Sequence, residues 1–295
     1  MKKIYSIMMV AAIAFAFTSC EEGTLDGSDD TEQGGGGEGT DNPGGETQDP
    51  NTLTYGGVTY KTVTLSNGQT WMAEPLRYVP DGMTVSNDPA DDNAHIWYPY
   101  STDGETTTPL TDDESVAENG YLYDIYAALG IEESELTAEN AASYEGAQGI
   151  CPDGWHIPTW QDFFDLCGNS NRTATVPDSQ TNEDALFYDE SYNGGSVDSF
   201  NQGGWNFVLS GAMMKSSYTA NPVYQKTVVK TSEKYNGKPG LTYYTSSTFY
   251  QAGNNNLQFH CLGTTFTTSY PEGRVNVMFT HCESGLQIRC VKDAE

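Results

Sequence analysis

Apolar and polar positions divide the chain into three stretches. Ile4 to Phe17 is an almost unbroken apolar run behind Lys2 and Lys3, too short for a comfortable membrane span. From Glu21 to Thr52 apolar side chains nearly vanish, and Gly, Asp, Glu, Thr and Pro replace them, with glycine filling 34–37. From Leu53 onward aromatic and β-branched residues recur without a second Gly-rich linker, which predicts a single domain with long insertions over 53–295.

Within that domain, Val58–Leu65 and Gln69–Ala73 flank Ser66-Asn67-Gly68, and Asn-Gly supplies the positive φ angles of a hairpin turn. Thr159 followed by Asp162 predicts a helix N-terminus, with Phe163, Phe164 and Cys167 recurring on one face. Gly120–Leu129 and Glu132–Tyr144 are further helix candidates. The C-terminal third offers short β-prone runs: Trp205–Leu209, Val223–Lys230, Leu241–Ser247, Leu257–Leu262, Val275–Thr280 and Leu286–Lys292. No internal repeat is present.

The N-terminal pattern reads as a bacterial lipoprotein signal, because the apolar run ends in Thr18-Ser19-Cys20, small residues before a modifiable cysteine. Cleavage after residue 19 would make Cys20 the lipidated N-terminus, and more than one acyl chain gives stable anchoring where a single chain does not. Residues 20–52 lack Lys and Arg and cannot bury enough surface to offset chain entropy, so a disordered tether reaching roughly 30 Å is expected. Glu21, Glu22, Asp29 and Asp30 resemble the surface-export signal of Bacteroides-type lipoproteins, which implies an outer-membrane protein facing outward.

Charge removes one class of partner. With 13 basic against 41 acidic residues and a formal net charge of −28, the chain is repelled by nucleic acid and by anionic membrane surfaces. Of the six cysteines, those after Cys20 are Cys151, Cys167, Cys261, Cys282 and Cys290; an oxidising export route favours disulfides, and spacing alone leaves their pairing open. No CxxC, HExxH or tight Cys/His spacing supports zinc.

Several motifs together carry a resemblance: Tyr60-Lys-Thr-Val-Thr-Leu, Gln69-Thr-Trp-Met-Ala-Glu, Gly120-Tyr-Leu-Tyr, Gly149-Ile-Cys-Pro-Asp-Gly-Trp-His-Ile-Pro158 and Gly285-Leu-Gln-Ile-Arg-Cys-Val-Lys-Asp293. In this order, over about 53–293, the chain resembles the Fibrobacter succinogenes major paralogous domain, a lipoprotein module. That family in turn looks related to the C-type lectin-like fold and its formylglycine-generating-enzyme branch. Two departures from the family pattern are Leu241-Thr-Tyr-Tyr-Thr-Ser-Ser in place of a Trp-Ser-Ser strand and Pro75 in place of Asn. The resemblance implies an α+β, C-type lectin-like domain with few short helices, antiparallel strands and long loop insertions. It also implies a Cys151–Cys290 bridge, with Cys167 as the rival partner for Cys290. A second bridge, Cys261–Cys282, follows from a cysteine spacing similar to that of C-type lectin domains.

Catalytic chemistry finds little material. The closely spaced cysteine pair of the copper-dependent oxidase branch is missing, as are a nucleophile elbow, a P-loop and a dinucleotide fingerprint. No cofactor is expected. The acidic insertion holding Asp88, Asp91 and Asp92 supplies hard oxygen ligands of the kind calcium takes, though without EF-hand spacing, and solvated loops are the competing reading, as for Asp112-Asp113-Glu114.

Binding finds more. Tyr243, Tyr244, Phe249, Tyr250, Asn254, Asn255 and Asn256, interleaved with Ser and Gly, resemble a paratope, where Tyr gives amphipathic contact area at low rotamer cost. Trp97, beside the acidic insertion, joins them as a candidate, whereas Trp71, Trp155 and Trp205 are expected in the core. His260 and His281 each precede a cysteine, so in extended segments both would point away from the cysteine face and could form a pH-sensitive pair. The expected function is a surface-exposed, membrane-anchored, non-catalytic adhesion module for a glycan or protein ligand. The alternatives are an appendage component and an enzyme of the formylglycine-generating type.

Overall fold

Three strands open the fold: β1 (Thr52–Tyr55), β2 (Val58–Thr64) and β3 (Thr70–Met72). The computed structural model describes residues 51–168, 180–215, 221–252 and 256–294. The Asn67-Gly68 turn forms where expected, with Gly68 at φ +89° and Leu65 N–H bonded to Gln69 O at 2.8 Å. β1 was not foreseen; Gly56 and Gly57, at φ +57° and +76°, fold it back onto β2.

A run of short elements follows: β4 (Val85–Ser86), β5 (Ile96–Trp97), β6 (Tyr100–Thr102), β7 (Thr107–Pro109), α1 (Asp113–Asn119), β8 (Leu122–Tyr123) and α2 (Ile125–Leu129). The helix expected over Gly120–Leu129 is thus the two-residue strand β8 and one buried helical turn capped by Asp124. Over Glu132–Tyr144 only two 3-10 turns form. There Thr137 and Asn140 spend their side chains on nearby backbone, an alternative to the helical ladder. Asp112-Asp113-Glu114, read as loop, is instead the start of α1, with the Asp112 carboxylate accepting from Ser115 N–H at 2.9 Å.

β9 (Trp155–His156) leads into α3 (Trp160–Cys167), which starts with the expected reciprocal cap between Thr159 and Asp162. After it come β10 (Gly195–Ser196), α4 (Val197–Gln202), β11 (Met213–Met214) and β12 (Val223–Tyr224). The strand expected over Trp205–Leu209 does not form, because Asn206 sits at φ +54° and turns the extended run. Three long antiparallel strands then dominate: β13 (Tyr243–Ala252), β14 (Asn256–Thr267) and β15 (Tyr270–His281), before β16 (Val291–Lys292).

The architecture is mixed α+β, with few short helices and mostly antiparallel strands. Its main sheets have the orders β1-β2-β3-β16-β9 and β10-β15-β14-β13. β14 divides the interior. Its odd positions Phe259 and Cys261 join a core with Tyr60, Tyr123, Ile157 and Ile288, while Leu262 joins a second core with Trp71, Phe163, Phe200 and Trp205. α3 packs on the second side, against β14 and β15. The Cys151–Cys290 bridge is present, across a sequence separation of 139. Beside it Gly149, at φ +52°, lies so close to Ala128 O and Ile157 that no Cβ fits, which is why glycine opens this motif. Among the described residues no helix is long and apolar enough to cross a membrane.

Candidate functional site

The paired strands β13, β14 and β15 fix the site through register. Tyr250 stands opposite Gln258, and Gln258 opposite His281, so these three side chains lie abreast on one face. One step along, His260 stands opposite Phe279. This is the face that α3 covers over Leu262 and Val277; nearer the Tyr250 end the cover thins. Phe279 is left 39% exposed, one of two large apolar side chains so exposed among the described residues. Its ring lies 5.6 Å from that of Tyr250, tilted by 39°, and Tyr250 lies 6.2 Å from His260, which in turn meets Trp160 edge-on at 6.4 Å.

The floor and rim of this cluster differ in character. Burial drives the His260 pKa down to about 4, so the imidazole is a neutral aromatic support at ordinary pH. At the rim the Tyr250 hydroxyl and the Gln258 amide make no bond to another described residue, and Asn256 Nδ2 reaches His281 Nδ1 only at 3.4 Å. A partly exposed aromatic pair bordered by uncommitted neutral donors and acceptors can grip a ligand with one apolar face and several hydroxyls or amides.

The sequence-selected binding residues separate sharply. Tyr250 and Asn256 belong to this cluster; Phe249 points to the opposite face and packs against the first core. Tyr243 is 7% and Tyr244 0% exposed, so neither is a ligand contact: Tyr243 fills the first core and Tyr244 the second, its hydroxyl donating to Val208 O at 2.9 Å. Trp97 is likewise buried, its Nε1–H donating to Asp88 O at 3.2 Å. Asn254 and Asn255 lie outside the described residues, as do Cys20 and the expected tether up to residue 50, while Thr52, at its expected end, already belongs to β1. The sequence reading missed Phe279, Gln258 and Trp160; the one available signal was alternation along Val275–Thr280, which places 279 and 277 on the same face.

The acidic insertion offered for calcium is occupied locally. Asp88 Oδ1 accepts from Ala90 N–H and Asp91 Oδ1 from Asn93 N–H, while Asp91 Oδ2 takes the Ser86 hydroxyl; these carboxylates shape their own loop. Among the described residues no three Asp, Glu, His or Cys side chains are grouped to hold a metal.

The second bridge does not form: Cys261 and Cys282 are both free and buried, as is Cys167. Register explains this. Cys261 pairs with Met278, whereas His281 pairs with Gln258, so Cys282 lies about four residues along the strand from Cys261, roughly 13 Å, far beyond disulfide reach. Burial pushes the Cys167 and Cys282 thiols up to about 12 and Cys261 higher still, which keeps them protonated and poorly nucleophilic. The two histidines do share the face opposite the cysteines, one step apart on adjacent strands, and His260 is buried.

A second cluster surrounds His156. Its Nδ1 lies 2.7 Å from Asp293 Oδ1 and its Nε2 3.4 Å from Asp162 Oδ2, beside a concavity of about 500 Å³ lined by the Asn67–Thr70 turn and Val291–Ala294.

Comparison with known families decides the placement: residues 66–292 match the Fibrobacter succinogenes major domain. The chain belongs to that family. The match runs from the first hairpin turn through β16, so the aromatic cluster, the Cys151–Cys290 bridge and the His156 cluster all lie inside the family domain. No curated protein and no solved structure matches the chain.

Proposed function

We propose that this member of the family is a lipid-anchored outer-membrane protein, exposed outward, whose 53–295 domain is a C-type lectin-like adhesion module for a glycan or protein ligand and does no catalysis. The observation that carries the binding reading is the Tyr250–Phe279 pair, partly open to solvent and bordered by the Tyr250 hydroxyl and the Gln258 amide, which make no bond to another described residue. The anchor rests on the apolar run before Thr18-Ser19-Cys20 and on the acidic residues after it. Among the described residues the three free thiols are buried and held protonated, so none of them is offered as a nucleophile. Few short helices, mostly antiparallel strands and long insertions are in keeping with a lectin-like fold.

The test is an array of glycans and host proteins probed with the purified full-length chain in detergent. Saturable binding to at least one class is expected, and silence across both would sink the proposal.

A further inference from the structure

We infer that the open end of the β13–β14–β15 sheet binds a neutral oligosaccharide, with Tyr250 and Phe279 against the C–H face of a sugar ring and Gln258, His281 and Asn256 taking its hydroxyls. The inference rests on the binding-module reading and narrows it to one ligand class at one site.

The apolar area suits a sugar. A phenylalanine presents about 150–250 Å² in all, so at 39% exposure Phe279 offers about 60–100 Å², of the order of one ring face. A sugar asks for little apolar area, because only one face of a pyranose is C–H-rich and the rest of the molecule is hydroxyl. The rim meets that demand: the Tyr250 hydroxyl can donate and accept, and the Gln258 amide brings both functions on a single side chain. Tyr250, Gln258 and His281 lie across three adjacent strands, roughly 10 Å in all, the length of a disaccharide.

Charge selects among sugars. The row facing the ligand contains no carboxylate, while the chain as a whole carries −28, so uronate or sulfated polymers approach against repulsion and neutral ones do not. The other concavities suit a ligand less well. In the cleft of about 300 Å³ near Glu74 and Lys238, Asn119 is bonded to Ser115 and Ser210, Tyr235 to Asp198, and Glu74 to Lys61 N–H.

The experiment titrates the full-length chain in detergent with xylan, mannan and a mixed-linkage glucan, with polygalacturonate as the anionic counterpart and a host-protein array alongside. A neutral polysaccharide should bind saturably, and Phe279→Ala and Tyr250→Ala should each weaken it about tenfold or more. Val223→Ala, which trims the other exposed large apolar side chain, should leave binding unchanged. Unchanged affinity in folded Phe279→Ala and Tyr250→Ala proteins would overturn the site, and a preference for polygalacturonate would overturn the neutral class. Capture of a protein alone, lost in the same two variants, would overturn the sugar but keep the binding module. Failure to bind any probe would overturn both.

Discussion

The guanidinium carbon of Arg289 stands 4.1 Å from the ring centroid of Trp205, while its terminal nitrogens donate to the carbonyls of Trp205 and Asn206. Arg289 is fully buried, and Tyr244 flanks it at 5.3 Å. Carbonyl oxygens and π faces replace the carboxylate that a buried arginine ordinarily needs. They also hold Asn206 in its left-handed turn, which ends the run Trp205–Leu209 as a strand. Arg289→Lys loses the planar fork and strands two carbonyls, so unfolding by denaturant should show a loss of about 2–4 kcal/mol. A change below about 0.5 kcal/mol would mean that the fork does not organise this core.

Gly149→Ala should be among the most damaging single-methyl additions in the chain. The new Cβ meets Ala128 O and Ile157, and alanine resists φ +52°. Strain and overpacking together predict a loss of at least about 2–3 kcal/mol, read as a lowered melting temperature.

Non-reducing peptide mapping should find Cys151 joined to Cys290, with Cys167, Cys261 and Cys282 alkylated only after denaturation. Reduction should cost about 4–5 kcal/mol on the chain-entropy account of so long a loop. A Cys261–Cys282 peptide would contradict the register of β14 and β15.

His156 predicts a pH dependence. Its hydrogen bond to Asp162 raises its pKa above the ordinary histidine range, against the opposing pull of burial, and Asp293 adds to the rise. Burial alone would raise Asp162, but the bonds from His156 and Thr159 outweigh it and hold that carboxyl low. The stabilisation from His156 is therefore complete below about pH 6.5 and lost as pH climbs through its raised pKa. That from Asp162 is complete above the ordinary carboxylate pKa and is lost as pH falls from there through its lowered value. Against His156→Gln, the wild-type chain should be more stable by about 1–2 kcal/mol near pH 5.5, with the gap closing in mildly alkaline buffer. A gap constant from pH 5 to 9 would refute the charged clamp.

Cys20→Ala should move the protein from the membrane fraction to the soluble fraction. Membrane-bound Cys20→Ala protein would remove the proposed anchor.

Local rules made parts of this fold legible. Asn67-Gly68 marked the first hairpin, and Thr159 with Asp162 marked α3, because each signal acts within a few residues. The binding window misled for a physical reason. Tyr243 to Ser247 has the composition of an exposed recognition loop, yet Ser246 donates to His260 O, and Ser247 donates to Ile157 O and accepts from Gly146 N–H. Hydrogen bonding to distant backbone lets such residues be buried, and those partners are invisible in one dimension. Phe279 escaped for the converse reason: whether an alternating position is covered depends on where α3 ends over the sheet.

The place of β16 in its sheet sets an order of events. Val291 pairs with Trp71 of β3 on one side and His156 of β9 on the other, so the slot between two strands made much earlier stays empty until residue 292 has been synthesised. Such sequence-distant pairing is slow, and meanwhile β3 and β9 carry open edges that any extended chain could occupy. The domain is thus exposed to mispairing until its last strand is in place, and Cys290, just ahead of β16, is positioned to lock the correct strand in once it docks in an oxidising compartment.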